Sequence, residues 1–218
     1  NASQKQTPPQ AYIIEAPFNG KRFYAQGEEY AFDMVLMGRI CDDLPLIAFA
    51  FHQAFADGLG KNKCRGVLQS IYIENHGEWE NIFENQKIIE HNHLFRLPEN
   101  YANNIRIQFE TPLRIQRQGK ILGVYNITAV TIAKQLLRRF ATIMQLYFCE
   151  LNLHYQELNN QAERICAVSD NVQWYDWQRY SNRQQQIMKL GGVMGEWQFT
   201  DLSPEWAQLF YLGQWLHM

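Results

Sequence analysis

Cysteine is sparse and unpaired in this chain: the residues at 41, 64, 149 and 166 of 218 form no Cys-x-x-Cys pair and follow no zinc-finger spacing. A disulfide scaffold and a structural zinc site are thereby excluded, leaving free thiols, the pattern of a reducing, cytoplasmic setting. Long apolar runs are missing as well. No stretch approaches the ~20 residues of a membrane helix, and the opening "NASQKQTPPQ" lacks the charged-then-apolar order of a signal peptide, so no membrane role is expected. The first three residues, Asn-Ala-Ser, read as a foreign remnant, and the natural protein is expected to begin upstream. Neither sign of charge dominates: 20 Lys and Arg stand against 22 Asp and Glu, so any electrostatic argument must come from local asymmetry.

What is present suits a folded α+β protein. A hydrophobic content of 46% fills a core without disulfides or metals. "AYIIEAPF" and "EYAFDMVLMG" are short β-like runs separated by Asn19-Gly20 and Gly27, which suit turns of an antiparallel sheet. "DDLPLIAFAFHQAFADG" then reads as a helix with Asp43 as cap, Pro45 near its first position and Gly58 after its end; apolar nearly all round, it is expected to be buried. "VLQSIYIE" reads as a further β-run.

Residues 74–104 are polar, acid-rich and weakly periodic, which places a domain boundary there, with 1–104 as a partial half and 105–218 as the second. "IRIQFETPLRIQ" resumes strict alternation: Ile105, Ile107, Phe109, Leu113 and Ile115 on one face, Arg106, Gln108, Glu110, Arg114 and Gln116 on the other. From about Thr128 to about Leu158 the period is helical, with Ile132, Leu136, Phe140, Ile143 and Tyr147 as the stripe and a break near Asn152. A β-run around "NVQWYDW" follows, then "QIMKLGGVMGEWQF", in which Ile187, Val193, Trp197 and Phe199 share parity. Ser203 and Pro204 open a last helix. Strand, long helix, strands, helix is the order of a ferredoxin-like unit with an antiparallel sheet, and the first half reads as a partial copy of it.

Several constellations carry possible chemistry. "EHNHLF" puts His91 and His93 on one strand face, but no further ligands stand at metal spacing, so a solvated loop is the expected reading and no cofactor is assigned. "GLGKNKCRG" (58–66) lacks P-loop order and follows a helix, which excludes ATP. It reads either as a helix stop with an exposed loop or as phosphate contact by Lys61, Lys63 and Arg65. Between 105 and 139 the charges are Arg106, Arg114, Arg117, Lys120, Lys134, Arg138 and Arg139 against Glu110 alone, whereas 74–99 holds six glutamates. A basic sheet face beside a basic helix can follow a phosphate backbone; plain solubility is the alternative. In "WYDWQRYSNRQQQIMKLGG", Trp174, Tyr175, Trp177 and Tyr180 interleave with Arg179, Arg183 and Lys189, the mixture single-stranded RNA favours, although an alternating strand buries about half of such rings. Gly191, Gly192 and Gly195 remove side chains where a strand bulges or another backbone comes close.

"WQRYSNRQQQIMKLGGVMGEW" followed by "LFYLGQWLHM" resembles the carboxy-terminal signature of the CRISPR-associated precursor-crRNA processing endoribonucleases, in the repeat-associated (RAMP) superfamily. "ETPLRIQRQGK" resembles the strand opening that domain, and "EEYAFDMVLMG" through "FADGLGKNKCRG" the family's middle segment. The resemblance implies two ferredoxin-like (RAMP, RRM-like) halves and binding of CRISPR repeat RNA. It also implies metal-independent cleavage, in which a ribose 2′-hydroxyl attacks the adjacent phosphate and leaves a 2′,3′-cyclic phosphate, and a role in antiviral defence. Such a reaction needs a base, an acid for the leaving 5′-oxygen and a cation near the phosphate.

On this reading Arg106, Arg114, Arg138, Arg179, Ser181, Asn182, Arg183, Lys189, Gly191 and Gly192 meet RNA, together with the Lys61, Lys63 and Arg65 loop. Relatives continue past "LHM" into a Gly-Lys, glycine-rich loop that this sequence does not include, and many carry a catalytic histidine on a first helix expected upstream of residue 1. The catalytic candidates left are His52, otherwise a packed core residue, and His217, otherwise structural or RNA-facing. His76 and His154 have no supporting partners. The rival reading is a non-catalytic RNA-binding or assembly module, with other CRISPR-associated proteins as candidate partners.

Overall fold

Alternating runs punctuated by glycine and asparagine build small antiparallel sheets, and periodic apolar runs build the helices laid against them. The computed structural model of the chain describes residues 9–216, apart from 18, 22, 61, 76, 92–96, 149–153, 177 and 182–184. Two compact units result, one from Gln10 to Glu99 and one from Asn100 onward that also takes in Pro9.

In the first unit, β1 (Tyr12–Glu15) and β2 (Asp33–Leu36) pair antiparallel with Tyr12 opposite Leu36. Their connection turns at Gly20 and Gly27, both at positive φ. Helix α1 (Leu44–Asp57) follows a 3-10 turn over Gly38–Asp43, so Asp43 makes no side-chain cap bond. A ladder of rings fixes α1: Tyr24, Tyr30 and Phe32 touch in turn, and Phe32 meets Phe51 with centroids 5.2 Å apart. The expectation of an all-round buried helix is corrected, because Ala48 alone is fully buried while Leu46 and Phe49 are 65% and 58% exposed. The β-run expected from Val67 is also shorter than its composition suggests. Val67 is exposed, and the strand starts only at β3 (Tyr72–Asn75), which pairs with β4 (Glu78–Asn81); β5 (Phe83–Glu84) and β6 (Lys87–Ile88) form a second tight hairpin.

The second unit begins with β7 (Ile105–Leu113) and a small hairpin, β8 (Gln116–Arg117) and β9 (Lys120–Ile121). Helix α2 (Ala129–Tyr147) starts where Thr128 accepts the Thr131 N–H, and it buries Ile132, Ala133, Leu136, Leu137 and Ile143. It ends at Tyr147, earlier than the periodicity predicts, and α3 (Tyr155–Ala162) is a separate helix. Then come β10 (Cys166–Tyr175), the hairpin β11 (Gln178–Ser181) and β12 (Gln186–Lys189), β13 (Gly192–Thr200) and α4 (Pro204–Gly213).

β13 lies between β10 and β7 and is antiparallel to both. β7 and β10, joined through α2, are therefore parallel and one strand apart, the split βαβ arrangement of ferredoxin-like folds. One face of this sheet carries Val193, Trp197 and Phe199, each at most 2% exposed, and receives the helices: the Phe199 and Phe210 rings are 4.5 Å apart. Burying these side chains is the main stabilising term, at roughly 2–3 kcal/mol for each large residue. Ile187 does not join them. It sits in the β11–β12 hairpin, 63% exposed, because the run read as one strand is two, each with its own partner. Ser203 opens α4 by accepting the Trp206 N–H, with Pro204 at the first position, as the sequence predicts.

β13 is hemmed in on both sides at Gly195. Between the pairs Phe109–Gly195 and Leu113–Val193, β7 sets Glu110, Thr111 and Pro112 against Met194 alone. Pro112 has no amide hydrogen for a ladder, so the excess forms there. Between Asp170–Glu196 and Gln173–Met194, β10 sets Asn171 and Val172 against Gly195, with Asn171 at φ 51. A Cβ at Gly195, itself at φ +140, would lie 2.7 Å from the Val172 Cα, so only glycine fits.

Candidate nucleic-acid interface

The face of the β10–β13–β7 sheet turned away from α2 and α4 collects the polar residues of all three strands. At one end the register sets Val168, Gln198 and Arg106 side by side. Val168 is 69% exposed and so is most of the Arg106 side chain. Arg106 is not a bare cation: its Nε is 3.1 Å from Glu196 Oε1, and the same carboxylate oxygen accepts from Gln198 Nε2 at 3.0 Å. A sequence pattern of alternating charges does not reveal that the partner stands on another strand.

At the opposite end, next to the start of the β11–β12 hairpin, Tyr175 is paired with Gly192 and is half exposed. Arg114 follows Leu113 on β7, and its Cγ closes on Gly192 from the other side: a Cβ there would lie 3.0 Å from Arg114 Cγ and 2.6 Å from the Leu113 carbonyl oxygen. Gly192 thus makes room for the protein's own neighbouring strand. Gly191 does the same for Trp174, whose indole would be 3.0 Å from an added Cβ and whose Nε1 donates to Asp176 Oδ1 at 2.8 Å. Both glycines are buried, and Tyr175, with Trp174 next to it, offers accessible ring surface at this corner. Chemically, a half-exposed ring beside a guanidinium-bearing strand can stack an unpaired base and hold its phosphate.

The other sequence candidates divide by location. Arg138 is exposed on α2, on the far side of the sheet from Arg106, and its backbone carbonyl accepts from Thr142 Oγ1 at 2.8 Å. β11 and β12 set Arg179 opposite Met188 and Gln178 opposite Lys189; the placement of the Arg179, Ser181 and Lys189 side chains, like Asn182 and Arg183 as a whole, lies outside the described residues. In the first unit, Lys63 and Arg65 are exposed on a loop closed by Leu59 N–H to the Cys64 carbonyl at 2.8 Å and tied to α1 by Gly66 N–H to the Phe55 carbonyl at 3.0 Å; Lys61 lies outside the described residues. His52 is half-buried on α1 and its ring has no hydrogen-bond partner among the described residues, while His217 falls outside them.

Among the described residues no three His, Cys, Asp or Glu side chains converge on a common point, and no helix is long and apolar enough to cross a membrane. Two perturbed groups lie around α4. Burial lowers the Arg139 pKa, with Tyr147 acting against it, and hydrogen bonds from Ser203 and the backbone lower the Glu205 carboxyl pKa.

Comparison with known proteins supplies a context for this surface. Residues 107–218 match the family model described as CRISPR-associated endoribonuclease Cas6, and residues 1–94 match one described as an N-terminal domain. No curated protein matches. Among solved structures, one described as a Cas6 product complex matches at 14% identity with a TM-score of 0.47, covering 96% of this chain and 74% of the other.

Proposed function

This chain belongs to the Cas6 family of CRISPR-associated endoribonucleases, and from that premise we propose that it binds CRISPR repeat RNA and cleaves it without a metal ion. The observation that carries the reading is an overlap of two ranges: residues 107–218, which match the family, hold the open sheet face with Arg114 and Tyr175 at its corner, all but the first two residues of β7. RNA lies along that face. Arg114 holds phosphate, Tyr175 stacks a base, and Arg106 joins them when it leaves Glu196. In the half read as 105–218 the β11–β12 hairpin adds contacts through Arg179, Ser181, Asn182, Arg183 and Lys189; in the partial ferredoxin-like half, 1–104, the loop with Lys61, Lys63 and Arg65 is a separate candidate for phosphate contact.

Cleavage proceeds by attack of a ribose 2′-oxygen on the adjacent phosphorus. A base takes the 2′ proton, the P–O5′ bond breaks, an acid gives a proton to the 5′-oxygen, and the products end in a 2′,3′-cyclic phosphate and a 5′-hydroxyl. His52 and His217 are the candidates for the proton transfers, and the reaction also calls for a cation to stabilise the crowded phosphate.

One feature favours a second reading, a non-catalytic RNA-binding module: the ring of His52 has no polar partner to orient it among the described residues, whereas a working base is oriented by a third group. Incubation with end-labelled repeat RNA in EDTA separates the two. A cyclic-phosphate product supports the nuclease, and its loss in His52→Ala or His217→Ala assigns the residue. Tight binding with no cleavage supports the module, and no binding at low salt removes both.

A further inference from the structure

Two like charges face each other across a tight turn in the β8–β9 hairpin. Its two connecting residues, Gln118 and Gly119, are both at positive φ, 52 and 77, the backbone of a type I′ turn. The register places Arg117 directly opposite Lys120. Like charges so placed repel, and opposite charges attract. The same chain shows the other solution: Asn85 and Gln86 turn β5 into β6, again both at positive φ, and there Glu84 faces Lys87.

Among the described residues no acidic group relieves the repulsion, which solvent and salt alone screen. Residues 116–121 are all exposed, and among the described residues neither Arg117 nor Lys120 has an acidic partner. The hairpin is nonetheless firmly seated, since Leu122 N–H reaches the carbonyl of buried Ile115 at 2.8 Å. Just beyond it the 3-10 turn Val124–Asn126 holds out Tyr125, 97% exposed. Tyr125 stands five positions after Lys120, a span of at most about 18 Å. A local rule of sheet pairing is thus broken where the fold gains nothing, and a bound anion is what would compensate it.

We propose that the β8–β9 hairpin is a second RNA contact, distinct from the sheet face: Arg117 and Lys120 hold the phosphodiester backbone of a single strand, and Tyr125 stacks one of its bases. The assignment rests on the RNA-binding reading above. It is favoured over an acidic peptide because the cations come with an exposed ring, which gives every base a stacking surface.

The test uses the full chain and fluorescein-labelled single-stranded repeat RNA, titrated at several salt concentrations. Replacing both cations, Arg117→Gln with Lys120→Gln, is expected to weaken binding at least tenfold and to flatten the log–log salt slope by about 1.4, two contacts at ~0.7 each. Tyr125→Leu is expected to weaken binding about tenfold and leave the slope unchanged. Lys120→Glu recreates the opposite-charge pairing of the β5–β6 hairpin, so it should raise the melting temperature while weakening RNA binding. Unchanged affinity and slope in the double variant, with wild type binding normally, overturns this contact and leaves the RNA-binding reading standing. A melting temperature lowered by Lys120→Glu would make Lys120 a residue of the fold and also overturn it. Failure of wild type to bind overturns both.

Discussion

The Nε–H of Arg139 on α2 donates to the carbonyl of Leu216 at 3.0 Å, which ties the long helix to the turn that follows α4. The Leu212 and Gly213 carbonyls that end α4 are met by the Trp215 and Leu216 N–H groups of that turn, and the guanidinium meets the Leu216 carbonyl beyond them. Arg139→Met keeps the packed stem and removes the bond. It should destabilise the protein by about 1–2 kcal/mol in urea unfolding, with an unchanged m-value.

Gly195→Ala should cost more. The new Cβ meets the Val172 Cα, and φ of +140 strains any other residue, so a loss of about 2–4 kcal/mol is expected from clash and backbone strain together. Thermal unfolding monitored by near-UV circular dichroism measures it.

Glu196→Gln tests whether the Arg106 ion pair holds an RNA-binding group in reserve. The pair is exposed on the Arg106 side, so stability should change by less than about 1 kcal/mol. RNA affinity should rise several-fold at low salt as the guanidinium is released, and Arg106→Gln should lower it. Equal affinities in both variants and wild type would exclude Arg106 from the interface.

Tyr175→Ala removes the exposed ring beside Gly192 and should weaken single-stranded RNA binding by about 1–3 kcal/mol, while Tyr175→Phe should bind as wild type does. Fluorescence anisotropy with one labelled RNA ranks all three proteins.

Glu205 provides a pH test with a defined sign. Its folded carboxyl pKa is depressed below the ordinary 4.5, first by the Ser203 hydroxyl and then by the backbone. The stabilisation is therefore fully present above 4.5 and is lost as pH falls through the folded value. Glu205→Gln should be less stable than wild type by a few tenths of a kcal/mol at pH 7, as suits an exposed group in a helix's first turn. The difference should disappear as the pH is taken well below 4.5. A gap that persists in acid would point to shape instead of charge.

The fold was readable wherever one physical signal acted alone. Alternation from Ile105 onward found β7, the 3.6-residue stripe through Ile132 and Leu136 found α2, and Ser203-Pro204 found the start of α4. Reading failed where tertiary pairing decided. "QIMKLGGVMGEWQF" has one alternation yet two partners, so Ile187 left the core; α1 has the composition of a buried helix yet leaves Phe49 in solvent. In the candidate interface the residue types were legible and their neighbours were not, because the Arg106–Glu196 and Arg117–Lys120 relationships exist only in the register. Gln118-Gly119 between two basic residues was the available clue to the second of these.

The double constriction around Gly195 has a further consequence, for how this protein can change over time. With a proline-bearing bulge on one side and a left-handed asparagine on the other, β13 cannot slide against either neighbour without breaking both. Among the described residues the β11–β12 hairpin pairs only with itself. Its length and side chains can therefore be exchanged between β10 and β13 while the locked sheet beneath keeps its alignment, making the hairpin an interchangeable tool head on a fixed handle.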